Sequence, residues 1–343
     1  MKKYNVAILG ATGAVGQEFL HLIAERNFPF NELKLLASKR SAGQNIEFMG
    51  KNYTVEEATP DSFKNVQIAL FAGGSASKTF AYEAVKHGAV VIDNSSAFRM
   101  DPEVPLVVPE VNPEAIKNHK GIIANPNCST IIMVMALKPI YDHVKIKRIV
   151  VSTYQAVSGA GKEAIDELTD QVRAISENRP AEARILPSAS LPKHYQIAFN
   201  VIPQIDVFLD DGYTKEEMKM VHETHKILND NTIGITATTV RVPVYRSHSE
   251  SINLELAGKL SVQEAKTLLA DFPGIIVQDD PAEMSYPMPV ATSNQDEVFV
   301  GRIREDKSVA NGLNLWVVGD QIRKGAALNA LQIAEYMIEH NLV

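Results

Sequence analysis

A single cysteine, Cys128, occurs among the 343 residues. No internal disulfide can form, which excludes the small disulfide-stapled secreted folds and agrees with a reducing compartment. Long hydrophobic runs are missing too. The longest, residues 131–137, falls far short of the ~20 apolar residues that a membrane-spanning helix requires. The first residues lead straight into an apolar segment and leave no room for a signal peptide, so a cytoplasmic location is expected. Positive charge is in deficit: 34 Lys and Arg against 41 Asp and Glu give a formal charge of -7 and a pI near 5.8, with no basic run. Nucleic acid and anionic membranes are therefore not expected partners, no metal is expected, and a small molecule is. An anionic ligand would have to be held by a few placed Arg and Lys residues against the overall field. Repeats, low-complexity tracts and obvious linkers are also absent.

What is present is enough for two cores, since 343 residues at 45% hydrophobic content exceed the usual single domain. In the first third, short apolar and β-branched runs at 5–9, 33–37, 68–71, 90–92 and 121–124 read as strands, with amphipathic stretches such as 18–25 and 79–87 between them. Buried strands separated by helices imply right-handed crossovers and a parallel, doubly wound α/β sheet of Rossmann type. After Cys128 the texture becomes α+β, with strands at 149–154, 235–242 and 251–256 and helices at 162–176 and 215–229. Thr214 and Glu217 have capping-box spacing, and Met218, Val221, His225 and Leu228 form the expected inward stripe of that second helix. Residues 178–192 read as a long loop or an excursion near a subunit contact, and an amphipathic helix at 326–338 is expected to return to the first domain. The expected division is 1–127 plus 325–343 as a dinucleotide-binding domain, and 128–324 as a catalytic and dimerisation domain.

Directly after the first strand stands Gly10-Ala11-Thr12-Gly13-Ala14-Val15-Gly16, leading into a helix. Glycines let the backbone approach a phosphate, and a helix N-terminus supplies free N–H groups and partial positive charge, so this loop is the expected pyrophosphate site. At the end of the second strand an acid would hold the ribose hydroxyls of NAD. Here the residues are Ser38, Lys39, Arg40 and Ser41, with no acid, which favours the 2′-phosphate of NADP. Gly73 follows a third strand and either approaches the cofactor or makes a plain turn. Cys128 lies in a polar turn after a strand and before an apolar helix-like run. At a helix start the dipole and unpaired N–H groups favour the thiolate, which is the signature of a nucleophile.

These residues sit in a wider set of motifs: G-A-T-G-A-V-G at 10–16, N-S-S-A-F-R-M at 94–100, N-P-N-C-S-T at 125–130, Q-A-V-S-G-A-G-K at 155–162, E-E-M-K at 216–219, R-V-P-V-Y-R-S-H-S-E at 241–250 and G-D-Q-I-R-K-G-A-A-L-N at 319–329. Over its full length the chain thereby resembles the aspartate-semialdehyde dehydrogenase family, and the R-S-A-G and F-R-M contexts resemble the branch common in Gram-positive bacteria. The resemblance implies NADPH-dependent reduction of β-aspartyl phosphate to the semialdehyde through a thioester, in lysine, threonine, methionine and diaminopimelate biosynthesis. It implies Cys128 as nucleophile, Gln155 orienting the acyl group and His248 as acid/base. Arg241 would grip the α-carboxylate, Arg99 and Lys219 the phosphate, Glu216 the ammonium, and Asn127 would also meet substrate. Gly10, Thr12, Gly13, Ala14, Val15, Ser38, Arg40, Ser41, Gly73, Ser158, Gly159 and Gln321 would contact NADP(H). The family forms dimers or tetramers.

A solvated i,i+3 pair is the plain alternative for Glu216 and Lys219. Arg241 and His248, seven residues apart, would lie on opposite faces of an unbroken strand, so the chain must bend between them, and Pro243 marks the place. Two other readings differ in class. An N-acetyl-γ-glutamyl-phosphate reductase would not need Glu216, and a silent NADP-binding relative would not need Cys128, Gln155 and His248 together.

Overall fold

The apolar runs of the first third do pair in parallel. The computed structural model describes residues 2–343, which divide into two units: the first runs to Asn127 and takes back Gly325–Val343, and the second is Cys128–Lys324. The first unit contains β1 (Tyr4–Leu9), α1 (Ala14–Glu25), β2 (Phe30–Ala37), the hairpin β3 (Asn45–Phe48) and β4 (Lys51–Thr54), β5 (Glu56–Glu57), β6 (Ile68–Phe71), α2 (Ala76–Lys86), β7 (Val90–Asp93) and β8 (Ile122–Ala124). Its six-stranded sheet has the order β5-β2-β1-β6-β7-β8, every pair parallel. Such strands need cover on both faces, and their sequences are apolar at consecutive positions for that reason. Ile8, Leu35, Leu70 and Ile92 of the strands pack with Leu22 of α1 and with Leu331 and Met337 of the C-terminal helix Leu328–Glu339. Each such side chain, essentially removed from water, stabilises by about 1.5–3 kcal/mol. Arg26 ties α1 to that last helix through a two-pronged bond to Glu335, 2.8 and 2.7 Å.

The second unit contains α3 (Cys128–His143), β9 (Ile146–Gln155), α4 (Lys162–Ser176), α5 (Lys215–Leu228), β10 (Gly234–Arg241), β11 (His248–Leu256), α6 (Val262–Ala270), β12 (Ile275–Val277), α7 (Pro289–Thr292), β13 (Val298–Asp306) and β14 (Gly312–Gly319). Its mixed sheet has the order β10-β9-β11-β14-β13-β12. Helix α3 is buried from Ser129 to Leu137 without a polar face, because it lies against this sheet: a Cβ on Gly319 of β14 would meet Ile132 at 3.0 Å. Alternation sorts the strands: Thr153 and Gln155 of β9, and His248, Glu250 and Ile252 of β11, are buried on the α3 side, while Tyr154 is exposed on the other. Among the described residues no helix is long and apolar enough to cross a membrane.

Two expectations need correction. The capping box at Thr214 and Glu217 is present, but the buried face of α5 is Met220, Val221, Thr224 and Ile227, and Met218, His225 and Leu228 are only half buried. Hydrogen bonding to an edge strand turned the helix: one Glu217 oxygen accepts from Thr239 N of β10 at 3.0 Å and the other from Thr214 N at 2.7 Å, so a carboxylate faces inward. The loop expected at 178–192 is also longer, running from the end of α4 to the start of α5. Side chains of α4 stand in for the missing backbone pairing. Glu167 accepts from Arg184 N and Ile185 N, and Gln171 accepts from Ile197 N and Ala198 N while donating to Glu182 O.

Candidate active site

The glycine loop of the first unit turns between β1 and α1 with Gly10 at φ +86°, a conformation that favours glycine. Gly16 lets the helix seat against the loop, for a Cβ there would stand 2.2 Å from Gly10 O. Gly13 caps α1 without a side-chain acceptor, no acid occupies the first turn, Gly13 and Ala14 are exposed, and Thr12 and Val15 are half buried. Donors are thus left open toward a pyrophosphate. Beyond β2, Ser41 N and Ala42 N both return to Ser38 O, folding a tight turn that presents Ser38, Lys39 and Arg40 to solvent, with Ser41 half buried. Gly73 follows β6 at φ +112°. An anionic dinucleotide fits this set.

Arg99, buried in the same unit, donates through Nε to Asn125 O at 2.9 Å and through Nη2 to Asn94 O at 2.8 Å. Two backbone carbonyls therefore fix the guanidinium plane. Asn125 lies three residues before the cysteine, and Asn127, also buried, directly precedes it.

In the second unit, Cys128 is the first residue of α3 and is partly exposed. The next residue starts a polar chain. Gln155 Nε2 donates to Ser129 Oγ at 2.6 Å and to Glu216 Oε1 at 3.3 Å; Lys219 Nζ bonds Glu216 Oε2 at 3.0 Å and Asp206 Oδ2 at 2.9 Å. The Glu216 and Lys219 pair is therefore not a solvated surface pair: Glu216 is buried and reaches the glutamine beside the cysteine's helix turn. Burial opposes the charge on Lys219, but Glu216 and Asp206 outweigh it and hold the ammonium above its ordinary range.

The backbone of Ala156 joins two further groups, one through each of the peptide groups that flank its Cα. Its oxygen accepts from Arg241 Nη1 at 2.7 Å and its N–H donates to His248 Nδ1 at 3.0 Å. β10 ends at Arg241 and β11 begins at His248, so the connection through Pro243 does break the strand and lets both side chains converge. Burial pulls the Arg241 pKa down, with Glu216 and Cys128 the nearby negative charges that resist it. His248 is pushed down to about 3, first by burial and then by Arg241, with Glu216 opposing. Gly159 stands against this buried pair, where a Cβ would lie 3.1 Å from Arg241 Nη1 and 3.6 Å from His248 Nε2. Gln321 donates to Ser158 Oγ and accepts from Ser247 N, so its amide is used within the protein.

Sequence reasoning missed Ser129, Asp206 and Glu250. Asp206 lies in the irregular segment, where no periodicity marks it. Glu250 was legible, being two residues after His248 on a strand and hence on the same inward row. It is fully buried, neither carboxylate oxygen has a partner among the described residues, and Thr153, opposite it in the β9–β11 register, has an equally unpartnered hydroxyl. Burial raises the Glu250 pKa well above the usual carboxylate range. An acid raised in the fold ionises first in the unfolded chain. Its stability penalty is therefore absent below the unfolded value of about 4.3 and grows, by at most about 1.4 kcal/mol per pH unit, until the folded pKa is reached. Glu250→Gln should accordingly gain in melting temperature over the native chain as pH rises from 5 to 8; a gap that does not widen would show that the carboxyl is not neutral.

With this geometry in place, two family models match the chain: "Semialdehyde dehydrogenase, NAD binding domain" over residues 5–119 and "Semialdehyde dehydrogenase, dimerisation domain" over 137–324. An aspartate-semialdehyde dehydrogenase of Aquifex aeolicus is 57% identical over 344 residues, covering 99% of each chain. Among solved structures, aspartate semialdehyde dehydrogenase II from Vibrio cholerae complexed with ASA is similar at a TM-score of 0.93 and 49% identity, covering 99% of each chain. The enzyme from Candida albicans with NADP is similar at 0.77 and 26%, covering 100% of each. The chain belongs to the aspartate-semialdehyde dehydrogenase family.

Proposed function

We propose that the chain catalyses the reductive dephosphorylation of L-aspartyl 4-phosphate to L-aspartate 4-semialdehyde, with NADPH as reductant and Cys128 as covalent nucleophile. The observation that carries this is the polar chain from Ser129 through Gln155 and Glu216 to Lys219, which begins beside the cysteine and presents an amide, an acid and a cation in sequence. The thiolate, at the positive end of α3, attacks the acyl carbon; a C–S bond forms and the bond to phosphate breaks, the phosphate leaving with the electron pair. Gln155 orients the acyl oxygen, Arg241 holds the α-carboxylate, Glu216 the ammonium, and Arg99 and Lys219 the phosphate, with Asn127 beside them. Bound NADPH supplies the hydride that reduces the thioester. The glycine loop, Ser38, Arg40, Ser41, Gly73, Ser158, Gly159 and Gln321 would hold that cofactor. Glu216 argues against an N-acylated substrate, whose amide needs no anionic partner.

The reaction serves lysine, threonine, methionine and diaminopimelate synthesis in this reading. A cysteine nucleophile needs a reducing compartment, which is the ground for proposing the cytoplasm. We propose a homodimer built on the second unit, whose sheet exposes Tyr154, its ring tilted against that of Trp316 at 5.5 Å between centroids; assembly to a tetramer is a further step of the same proposal. Placement in the branch common in Gram-positive bacteria rests on the R-S-A-G and F-R-M contexts alone.

The test is phosphate- or arsenate-dependent NADP reduction with aspartate semialdehyde, run beside NAD and N-acetylglutamate semialdehyde. Absence of turnover sinks the assignment. Arg40→Ala removes one charge-assisted bond to the 2′-phosphate, about 1.5–3 kcal/mol, so NADPH affinity should fall roughly 10- to 150-fold while NADH affinity holds. Equal losses for both cofactors would overturn the phosphate clasp.

A further inference from the structure

We propose that Asn329, in the C-terminal helix Leu328–Glu339, is a positioning residue for the phosphate end of the substrate: it heads a chain of three asparagines that fixes the two carbonyls holding Arg99. This deepens the proposed function and rests on the reading of Arg99 as a phosphate-holding residue.

The starting observation is a polar side chain where the helix calls for an apolar one. Asn329 is fully buried, between Leu328 and Ala330 and one turn before Ile333, all of which belong to the core of the first unit. An amide taken out of water is costly unless its hydrogen bonds are made. Asn329 Nδ2 donates to Val107 O at 2.9 Å and to Asn125 Oδ1 at 2.7 Å. Asn125, also fully buried, passes the bond on: its Nδ2 donates to Asn94 Oδ1 at 2.9 Å, and Asn94 Nδ2 donates to Phe71 O at 2.8 Å. The backbone carbonyls of Asn125 and Asn94 receive Arg99 Nε and Nη2. The side chains that form the chain and the carbonyls that seat the guanidinium therefore belong to the same residues.

The chain has one direction only. Each amide gives its N–H to the oxygen of the next, and both ends rest on backbone oxygens, Val107 O and Phe71 O, which cannot donate. Turning any one amide over would set like against like, so the three hold one another's orientation. Phe71 closes β6, and Asn125 N donates at 2.8 Å to the oxygen of Asp93, which closes β7, so the chain is anchored at the carboxyl edge of the parallel sheet. Losing Asn329 removes the donor to Asn125 Oδ1; the freedom gained reaches Asn94 next and then the plane of Arg99. A guanidinium recognises phosphate by the direction of its N–H groups, and a tilt of that plane weakens the contact without altering the charge. These bonds run to Val107, Phe71 and Arg99 and not to the glycine loop, so the effect should be confined to phosphate.

The test is a double-mutant cycle in the phosphate-dependent oxidation of aspartate semialdehyde by NADP. Asn329→Ala should raise the KM for phosphate roughly 3- to 10-fold, while kcat at saturating phosphate and the KM values for aspartate semialdehyde and NADP stay within about twofold. Made in an Arg99→Ala background, the same change should leave the KM for phosphate within about twofold, since the group it positions is gone. An unchanged phosphate KM, equal rises for all three substrates, or the same rise with Arg99 absent would each overturn the proposal, because a merely structural role acts with or without the guanidinium. A second measurement needs no turnover. The Arg99 Nε–H, identified in nitrogen NMR by its loss in Arg99→Lys, should exchange with water at least ~10-fold faster in Asn329→Ala, and an equal rate overturns the proposal. If Asn329→Ala does not fold, Asn94→Ala, at the half-buried end of the chain, keeps its backbone carbonyl and carries both readouts. Should Arg99→Ala leave the phosphate KM unchanged, the reading of Arg99 falls and takes the phosphate role of Asn329 with it, while the exchange rate still decides whether the asparagines hold the guanidinium.

Discussion

Cys128→Ala is expected to lower turnover by roughly 10⁴- to 10⁶-fold and to leave NADPH binding unchanged. The size follows from chemistry. Without sulfur the hydride must reduce an acyl phosphate directly, with no thioester to form and no good leaving thiolate to return the carbonyl. The selectivity follows from where the groups lie: the phosphate-binding loop, with its open Gly13 and Ala14 and Gly10 at φ +86°, belongs to the first unit, whereas the sulfur belongs to the first residue of α3 in the second. Cys128→Ser should be nearly as inactive, since a serine hydroxyl at the same helix end stays protonated near neutral pH. Turnover measured beside calorimetric titration of NADPH checks both halves. Residual activity above about a thousandth of native would exclude a covalent route, since a lost nucleophile costs far more than that.

The first unit was readable because its strands are buried on both faces. β6 was located to the residue and β1, β2, β7 and β8 to within three, since nothing in a parallel sheet core competes with the apolar pattern, whereas the hairpin β3–β4 and the two-residue edge strand β5, largely exposed, were not read as strands. The second unit was less so. Its helix α5 carries three inward glutamates, Glu216, Glu217 and Glu223, and a rule that turns polar residues outward rotates the helix wrongly. What drew them in is an edge strand with a free Thr239 N–H and a network leading to Gln155, neither of which exists until the sheet has formed. The long irregular segment escaped for the same reason: its backbone is satisfied by Glu167 and Gln171, two ordinary-looking polar residues of a surface helix.

At the site, the positions visible in the sequence were those tied to a local element, such as the glycine loop and the cysteine at a helix start. Arg241, Gln155 and His248 were named through family motifs, and the structure adds what motifs do not hold, that the backbone of one residue, Ala156, contacts two of them. Asp206 illustrates the limit. It adopts φ +67° in a stretch without helix or strand, and its value to Lys219 is a tertiary contact across 13 residues that no spacing rule encodes.

Arg241 gives the second large effect. Its guanidinium is buried, tied at Nη1 to Ala156 O, with Nε unpartnered among the described residues. A buried cation with donor capacity to spare is costly unless an anion completes it, and in the proposed reaction the substrate α-carboxylate does. Breaking such a buried pair by removing one partner costs about 3–5 kcal/mol, so Arg241→Ala should lower kcat/KM by roughly 10²- to 10⁴-fold. Lysine separates charge from shape. Arg241→Lys keeps a cation near Glu216 and Cys128 but loses the planar fork and the reach to Ala156 O while a carboxylate is held, and it should recover little, remaining at least about 100-fold impaired. Retention of more than about a tenth of native kcat/KM by the lysine variant would mean that Arg241 acts only as a field on the thiolate, and the carboxylate would then have to be held elsewhere.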